Sequence, residues 1–165
     1  KETKSNIKII VLVRDIIEVL GSFIRWSEKE PTSFVNQYDA KTIEEKCDML
    51  MNKDGVIVRE LIAVKHLIDQ QPKEIYHLVE YNDLVENPKK TIDGVYKFLN
   101  ISKFKHSFTN LDQFKVNGME YDDTIVGQGL HTIKTDAIYK EKYDAYNIIP
   151  KSIIDKYKQC NFWKG

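Results

Sequence analysis

Residues 7–26 read IKIIVLVRDIIEVLGSFIRW, and the fold turns on them. From Ile7 to Val13 the chain is β-branched and apolar, broken only by Lys8. That continuity suits a strand buried on both faces, as in a parallel sheet. Asp15 then offers an N-cap, and Ile16, Val19, Leu20, Phe23 and Ile24 recur at helical spacing, with Trp26 widening the stripe. The handover from strand to helix takes barely two residues. In α/β proteins so tight a junction sets the helix N-terminus at the carboxyl edge of the sheet, where ligands bind.

Downstream, Pro31 to Ala40 reads as a loop. Thr42 to Met51 reads as a short helix whose N-cap Thr42 and Glu45 form a capping box. Gly55 separates it from a longer helix, Val56 to Gln70, with Ile57, Leu61, Val64, Leu67 and Ile68 on one face, and Pro72 ends that segment. Ile75 to Tyr81 is a second strand with a short turn into Asp83 and Leu84. Pro88 opens a helix that carries Ile92, Val95, Tyr96 and Leu99. Residues 102–136 show no clear period and are expected to be irregular, with room for one short strand. A last helix runs from Pro150 to about Gln159, and Phe162 and Trp163 tuck against the core. Strand, helix, helix, strand, helix is an α/β order that implies a right-handed crossover. Two strands leave exposed edges unless residues 102–136 or an upstream segment add partners.

Composition narrows the possibilities. A chain of 165 residues, 42% of them hydrophobic, supports one domain, 1–165, with a real core. Lys plus Arg and Asp plus Glu are equal at 25 each, so the basic excess of a general nucleic-acid binder is absent and any anion site must be local. Cys47 and Cys160 lie far apart with no CxxC partner, which argues against a zinc site or a disulfide framework and makes a reducing, cytoplasmic setting the default. The longest apolar run, Ile9 to Val13, falls far short of a membrane span. His66, His77, His106 and His131 show neither metal spacing nor a nucleophile partner. Because the first residue is Lys1 and a strand follows almost at once, an upstream segment is expected to be missing.

The residues with chemistry to offer surround the first junction. Arg14 stands at the carboxyl end of the strand, one residue before the helix cap, where a guanidinium can grip an anion through two parallel hydrogen bonds. Free N–H groups and the dipole at the helix start add to the attraction. Ser22 lies seven residues beyond Asp15, two helical turns away and on the same face, so hydroxyl and guanidinium can converge on one phosphate. The plainer alternative is that Arg14 pairs with a surface acid and Ser22 is a small packing residue.

The stretch Ile9 to Trp26 resembles the 3′-phosphate motif of the sulfotransferases that use 3′-phosphoadenosine 5′-phosphosulfate (PAPS). Arg14, Asp15, Glu18-Val19 and Ser22 fall in register with that motif, and Ile16 stands where the family has proline. Val79 to Leu99, VEYNDLVENPKKTIDGVYKFL, is similar to the family's Tyr-Glu-Asp-Leu segment, Asn-Pro and following helix, with Asn82 in place of the usual acid. Leu130-His131-Thr132-Ile133-Lys134, Ile149-Pro150-Lys151-Ser152 and Phe162-Trp163 resemble the end of bacterial and phage-type members.

That resemblance implies an α/β fold, a partial P-loop-NTPase-like three-layer arrangement with a parallel sheet, whose N-terminal phosphate-loop unit lies outside this chain. It implies that Arg14 and Ser22 bind the 3′-phosphate of PAPS or of its product adenosine 3′,5′-bisphosphate (PAP). Tyr81 then lies near the adenine, and Lys134, after the Gly127-Gln128-Gly129 turn, supplies the charge of the family's Arg-Lys-Gly loop, which this chain lacks. The 5′-phosphosulfate loop and a general base before Arg14 are also absent, so no catalytic residue is assigned and the chain is not expected to turn over alone. The partners are the nucleotide cosubstrate and an acceptor hydroxyl or amine of unknown identity. A kinase-like nucleotide-binding domain and a non-catalytic module derived from the sulfotransferase fold are the rival readings.

Overall fold

The computed structural model of the chain describes residues 7–112, 115–120, 136–138 and 143–164. The chain divides into two compact units, Lys1–Glu80 with Lys142–Gly165, and Tyr81–Glu141.

The first unit begins with strand β1 (Ile9–Val13) and helix α1 (Ile16–Lys29). Three helices follow: α2 (Phe34–Gln37), α3 (Ile43–Leu50) and α4 (Val56–Gln70). Strand β2 (Tyr76–Glu80) then pairs with β1 in parallel, from Ile9 opposite Tyr76 to Val13 opposite Glu80. Parallel neighbours need a long crossover, and α1 to α4 provide it. The expected α/β order with a parallel sheet is present.

Helix α1 is the centre of this unit. Asp15 caps it by accepting the N–H groups of Ile17 at 3.0 Å and Glu18 at 3.4 Å. Ile16, Ile17, Leu20 and Ile24 are buried at a spacing that packs one broad face. Around them gather Val35 of α2, Cys47 and Leu50 of α3, and Ile57 of α4. Burying a side chain of this size contributes about 1.5–3 kcal/mol, so this face outweighs any local propensity. In α3 the capping box forms as expected: Glu45 donates its N–H to the Thr42 hydroxyl, and its carboxylate accepts the Thr42 N–H.

The last residues return to this core. Helices α7 (Ala145–Ile148) and α8 (Lys151–Tyr157) and the residues between them bury Ala145, Ile149 and Ile153 in the core that α1 and α3 share. Two single turns, Lys158–Cys160 and Phe162–Lys164, close the tail. Trp163 packs on the core, while the Phe162 ring lies 5.7 Å from the Lys65 ammonium.

The second unit holds α5 (Tyr81–Glu86) and α6 (Pro88–Leu99), with Pro88 at the first turn as expected and Asn100 ending α6 in the left-handed region, φ 57°. Residues 101–108 then run without regular structure. Strands β3 (Lys115–Val116) and β4 (Met119–Glu120) pair antiparallel in a sheet of their own. Asn117 and Gly118, both at positive φ, form the turn between them.

Three expectations need correction. β1 is not buried on both faces: Val13 is buried, but Ile10 and Leu12, on the alternate side, are 45% and 57% exposed. Side chains alternate along a strand, and this second side is open at Ile10 and Leu12, although Val79, the partner of Leu12 across the ladder, is buried. Ser33 to Gln37 is not simply loop, since α2 forms where Val35 inserts fully into the core. Tyr81 does not end the second strand; it starts α5, so β2 passes into helix without an intervening turn.

Candidate functional site

Arg14 occupies the residue between β1 and the cap of α1. Its Nε lies 3.1 Å from Glu18 Oε2, an i,i+4 ion pair with side chains 20% and 15% exposed. Its Nη2 donates to the Tyr143 hydroxyl at 3.0 Å, and that hydroxyl donates in turn to the Glu18 carbonyl at 3.1 Å. Glu18 therefore fixes one edge of the guanidinium and Tyr143 another. Ser22 is exposed, one helical turn beyond Glu18 and on the same face. The guanidinium is thus turned toward the stripe that carries the serine. The plainer alternative holds in one half: Arg14 does pair with an acid. Ser22, by contrast, is not a packing residue.

The segment that carries Tyr143 and Ala145 comes close to α1 at Gly21, most tightly at Ala145. A Cβ on Gly21 would stand 2.7 Å from the Ala145 Cβ and 3.5 Å from Tyr143 Cε2. Only a residue without a side chain lets this segment lie on the helix. Arg25, the next residue on the stripe after Ser22, stacks over the Tyr143 ring with its Cζ 4.2 Å from the centroid.

The start of α1 is sealed rather than open. The Ile16 N–H donates to Asn161 Oδ1 at 2.9 Å, and those of Ile17 and Glu18 to Asp15. The expected free N–H groups are therefore taken, and an anion here must be held by side chains. Asp15 is tied to the tail as well: its carboxylate accepts from the Tyr146 hydroxyl at 3.1 Å, the Asn161 amide at 2.9 Å and the Lys164 ammonium at 2.9 Å. Burial alone would raise the pKa of Asp15, but the Lys164 bond and charge, the Ile17 N–H and the Tyr146 hydroxyl outweigh it and hold the carboxyl below its ordinary value. The Asp15 bond holds Lys164 above its usual ammonium range despite burial. Burial first, and then the Asp15 carboxylate, push the Tyr146 phenol up.

Tyr81 is half-buried as the first residue of α5, in the second unit, and Lys134 lies outside the described residues. Tyr143, Arg25, Asn161 and Lys164 were not anticipated. Each acts across more than 100 residues or through a ring so placed, and no local spacing announces it.

The chain matches the sulfotransferase domain family over residues 1–146. It belongs to that family. In structure this sulfotransferase-family chain is similar to the sulfotransferase domain from the curacin biosynthetic pathway, with 16% sequence identity and a TM-score of 0.55. The match covers 95% of this chain and 54% of that one. At that identity the likeness carries the fold, and the chain spans about half the length of the solved domain. No curated protein matches it. Among the described residues, no helix is long and apolar enough to cross a membrane, and no group of His, Cys, Asp and Glu is placed to hold a metal ion.

Proposed function

We propose that this chain supplies the 3′-phosphate side of a PAPS site in a sulfotransferase that moves a sulfuryl group to an acceptor hydroxyl or amine. The observation that carries the reading is the placement of Arg14. Its guanidinium leaves a strand end, is oriented by Glu18 and Tyr143, and faces the helical stripe of the exposed Ser22. A guanidinium and a hydroxyl are donors alone or donors in part, and together they suit a phosphate's acceptor oxygens.

The reaction breaks the sulfur–oxygen bond to the 5′-phosphate, forms a bond from sulfur to the acceptor atom, and releases the acceptor's proton and adenosine 3′,5′-bisphosphate. Arg14 and Ser22 act on the far end of the nucleotide. By fixing the 3′-phosphate they hold the reacting group in register, so that binding energy from a remote contact lowers the barrier.

The test is turnover of the full-length protein with labelled PAPS and a panel of hydroxyl and amine acceptors. Losing a charge-assisted hydrogen bond costs roughly 1.5–3 kcal/mol, so Arg14→Ala is expected to raise the KM for PAPS by about 10- to 150-fold. An unchanged KM would speak against the role.

A further inference from the structure

The backbone on either side of Arg14 is fixed by different parts of the chain. Before it, Val13 closes the ladder opposite Glu80 of β2; after it come Asp15 and Ile16, the cap and first residue of α1. A binding group must be held within about 0.5 Å of its working position, by neighbours that are themselves locked. The bonds that lock the second side do not come from α1 alone.

They come from the tail. Asn161, between the two closing turns, meets the junction twice: its Oδ1 accepts the Ile16 N–H at 2.9 Å, and its Nδ2 donates to Asp15 Oδ2 at 2.9 Å. The Lys164 ammonium lies on the same Oδ2, also at 2.9 Å. Asp15 is 8% exposed, and a carboxylate so placed needs such partners to stay charged. Glu80, at the end of β2, adds its charge to the pull on that ammonium. Lys164 is thus drawn to the ends of both strands. Trp163 supplies the tail's apolar burial, whereas Asn161 and Lys164 bond the two residues that follow Arg14 or their carboxylate. An amide that spans two consecutive residues leaves the junction little room to shift.

We propose that Asn161 and Lys164 are positioning residues of the phosphate site, acting through Asp15 and Ile16 to set Arg14 against the 3′-phosphate. The assignment rests on the reading of Arg14 given above. It asks neither residue to touch the nucleotide.

The decisive experiment is calorimetric titration of the full-length protein and its variants with two probes, adenosine 3′,5′-bisphosphate and adenosine 5′-monophosphate, at one fixed salt concentration. Urea unfolding of each variant is measured alongside. Lys164→Met is expected to weaken the bisphosphate by about 5- to 30-fold and to leave the monophosphate unchanged. Lys164→Arg keeps an ammonium-like partner for Asp15 and should restore most of the wild-type preference. Asn161→Ala removes both of its bonds and should shift the same ratio in the same direction. If Asn161→Ala fails to fold, the two Lys164 variants still decide the matter. A merely structural tail predicts lower unfolding stability with the wild-type ratio of affinities. That result in Lys164→Met, with the preference lost in Arg14→Ala, overturns the positioning role alone. Failure of the wild type to prefer the bisphosphate overturns both readings.

Discussion

Asp15 gathers five donors: two backbone N–H groups of α1, the Tyr146 hydroxyl, the Asn161 amide and the Lys164 ammonium. Its folded pKa is lowered from the ordinary 3.8. A depressed carboxylate contributes stability that is fully present above the unfolded pKa and is lost as pH falls through the folded one. The stability difference between wild type and Asp15→Asn in urea should therefore be flat from pH 8 to about 5 and shrink below about 4. A difference that persisted unchanged at pH 3 would contradict this. Cys47 gives a second test at this scale. Burial, with Asp48 and Glu44 adding, pushes its thiol up to about 12, and its side chain is wholly buried. At pH 8 only roughly one molecule in ten thousand carries the thiolate. Iodoacetamide should spare Cys47 in the native protein and label it after unfolding; equal rates in both states would show that α3 does not seal it.

At the scale of elements, the contact between α1 and the 143–145 segment is the sensitive joint. Gly21→Ala would improve an exposed helix by about 1 kcal/mol, but here the new Cβ meets the Ala145 Cβ at 2.7 Å and its Cα at 3.2 Å. Overpacking of this kind costs about 1–3 kcal/mol, so a net loss of up to about 2 kcal/mol is expected in urea unfolding. The second substitution Ala145→Gly should restore part of it, a coupling that independent sites do not show. Additive effects would mean that the two residues do not touch. What could be read in the sequence follows the same division. The Thr42–Glu45 capping box, the limits of α4 and Pro88 at the start of α6 are local signals, and the structure bears each of them out. Helix α2 escaped notice because four residues cannot display a period. The β3–β4 hairpin did have a readable signal, the Asn117-Gly118 pair, hidden among residues without regular alternation.

At the scale of the molecule, the order of strands and helices revealed the α/β class and the parallel pairing of β1 with β2. Long-range partners were out of reach. Arg14 and its junction are visible in one short stretch, whereas Tyr143 lies 129 residues away and Lys164 lies 149 from Asp15. Periodicity reports which face of an element is apolar, not which distant side chain will meet it. The same limit explains β1, whose unbroken apolar run was read as two buried faces although Ile10 and Leu12 face outward. Leu12→Thr in this 165-residue chain should lower the fluorescence of a bound apolar dye and change unfolding stability by no more than about 0.5 kcal/mol. A loss above about 2 kcal/mol would place Leu12 in a packed interior instead.

The proposed role of Arg14 is the point on which the functional reading depends. It is tested most directly by the ratio of dissociation constants for adenosine 5′-monophosphate and adenosine 3′,5′-bisphosphate, measured for the wild type and for Arg14→Ala. If Arg14 holds the 3′-phosphate, the wild-type ratio exceeds about 10 and the variant's falls toward 1. The same ratio in both proteins would contradict it.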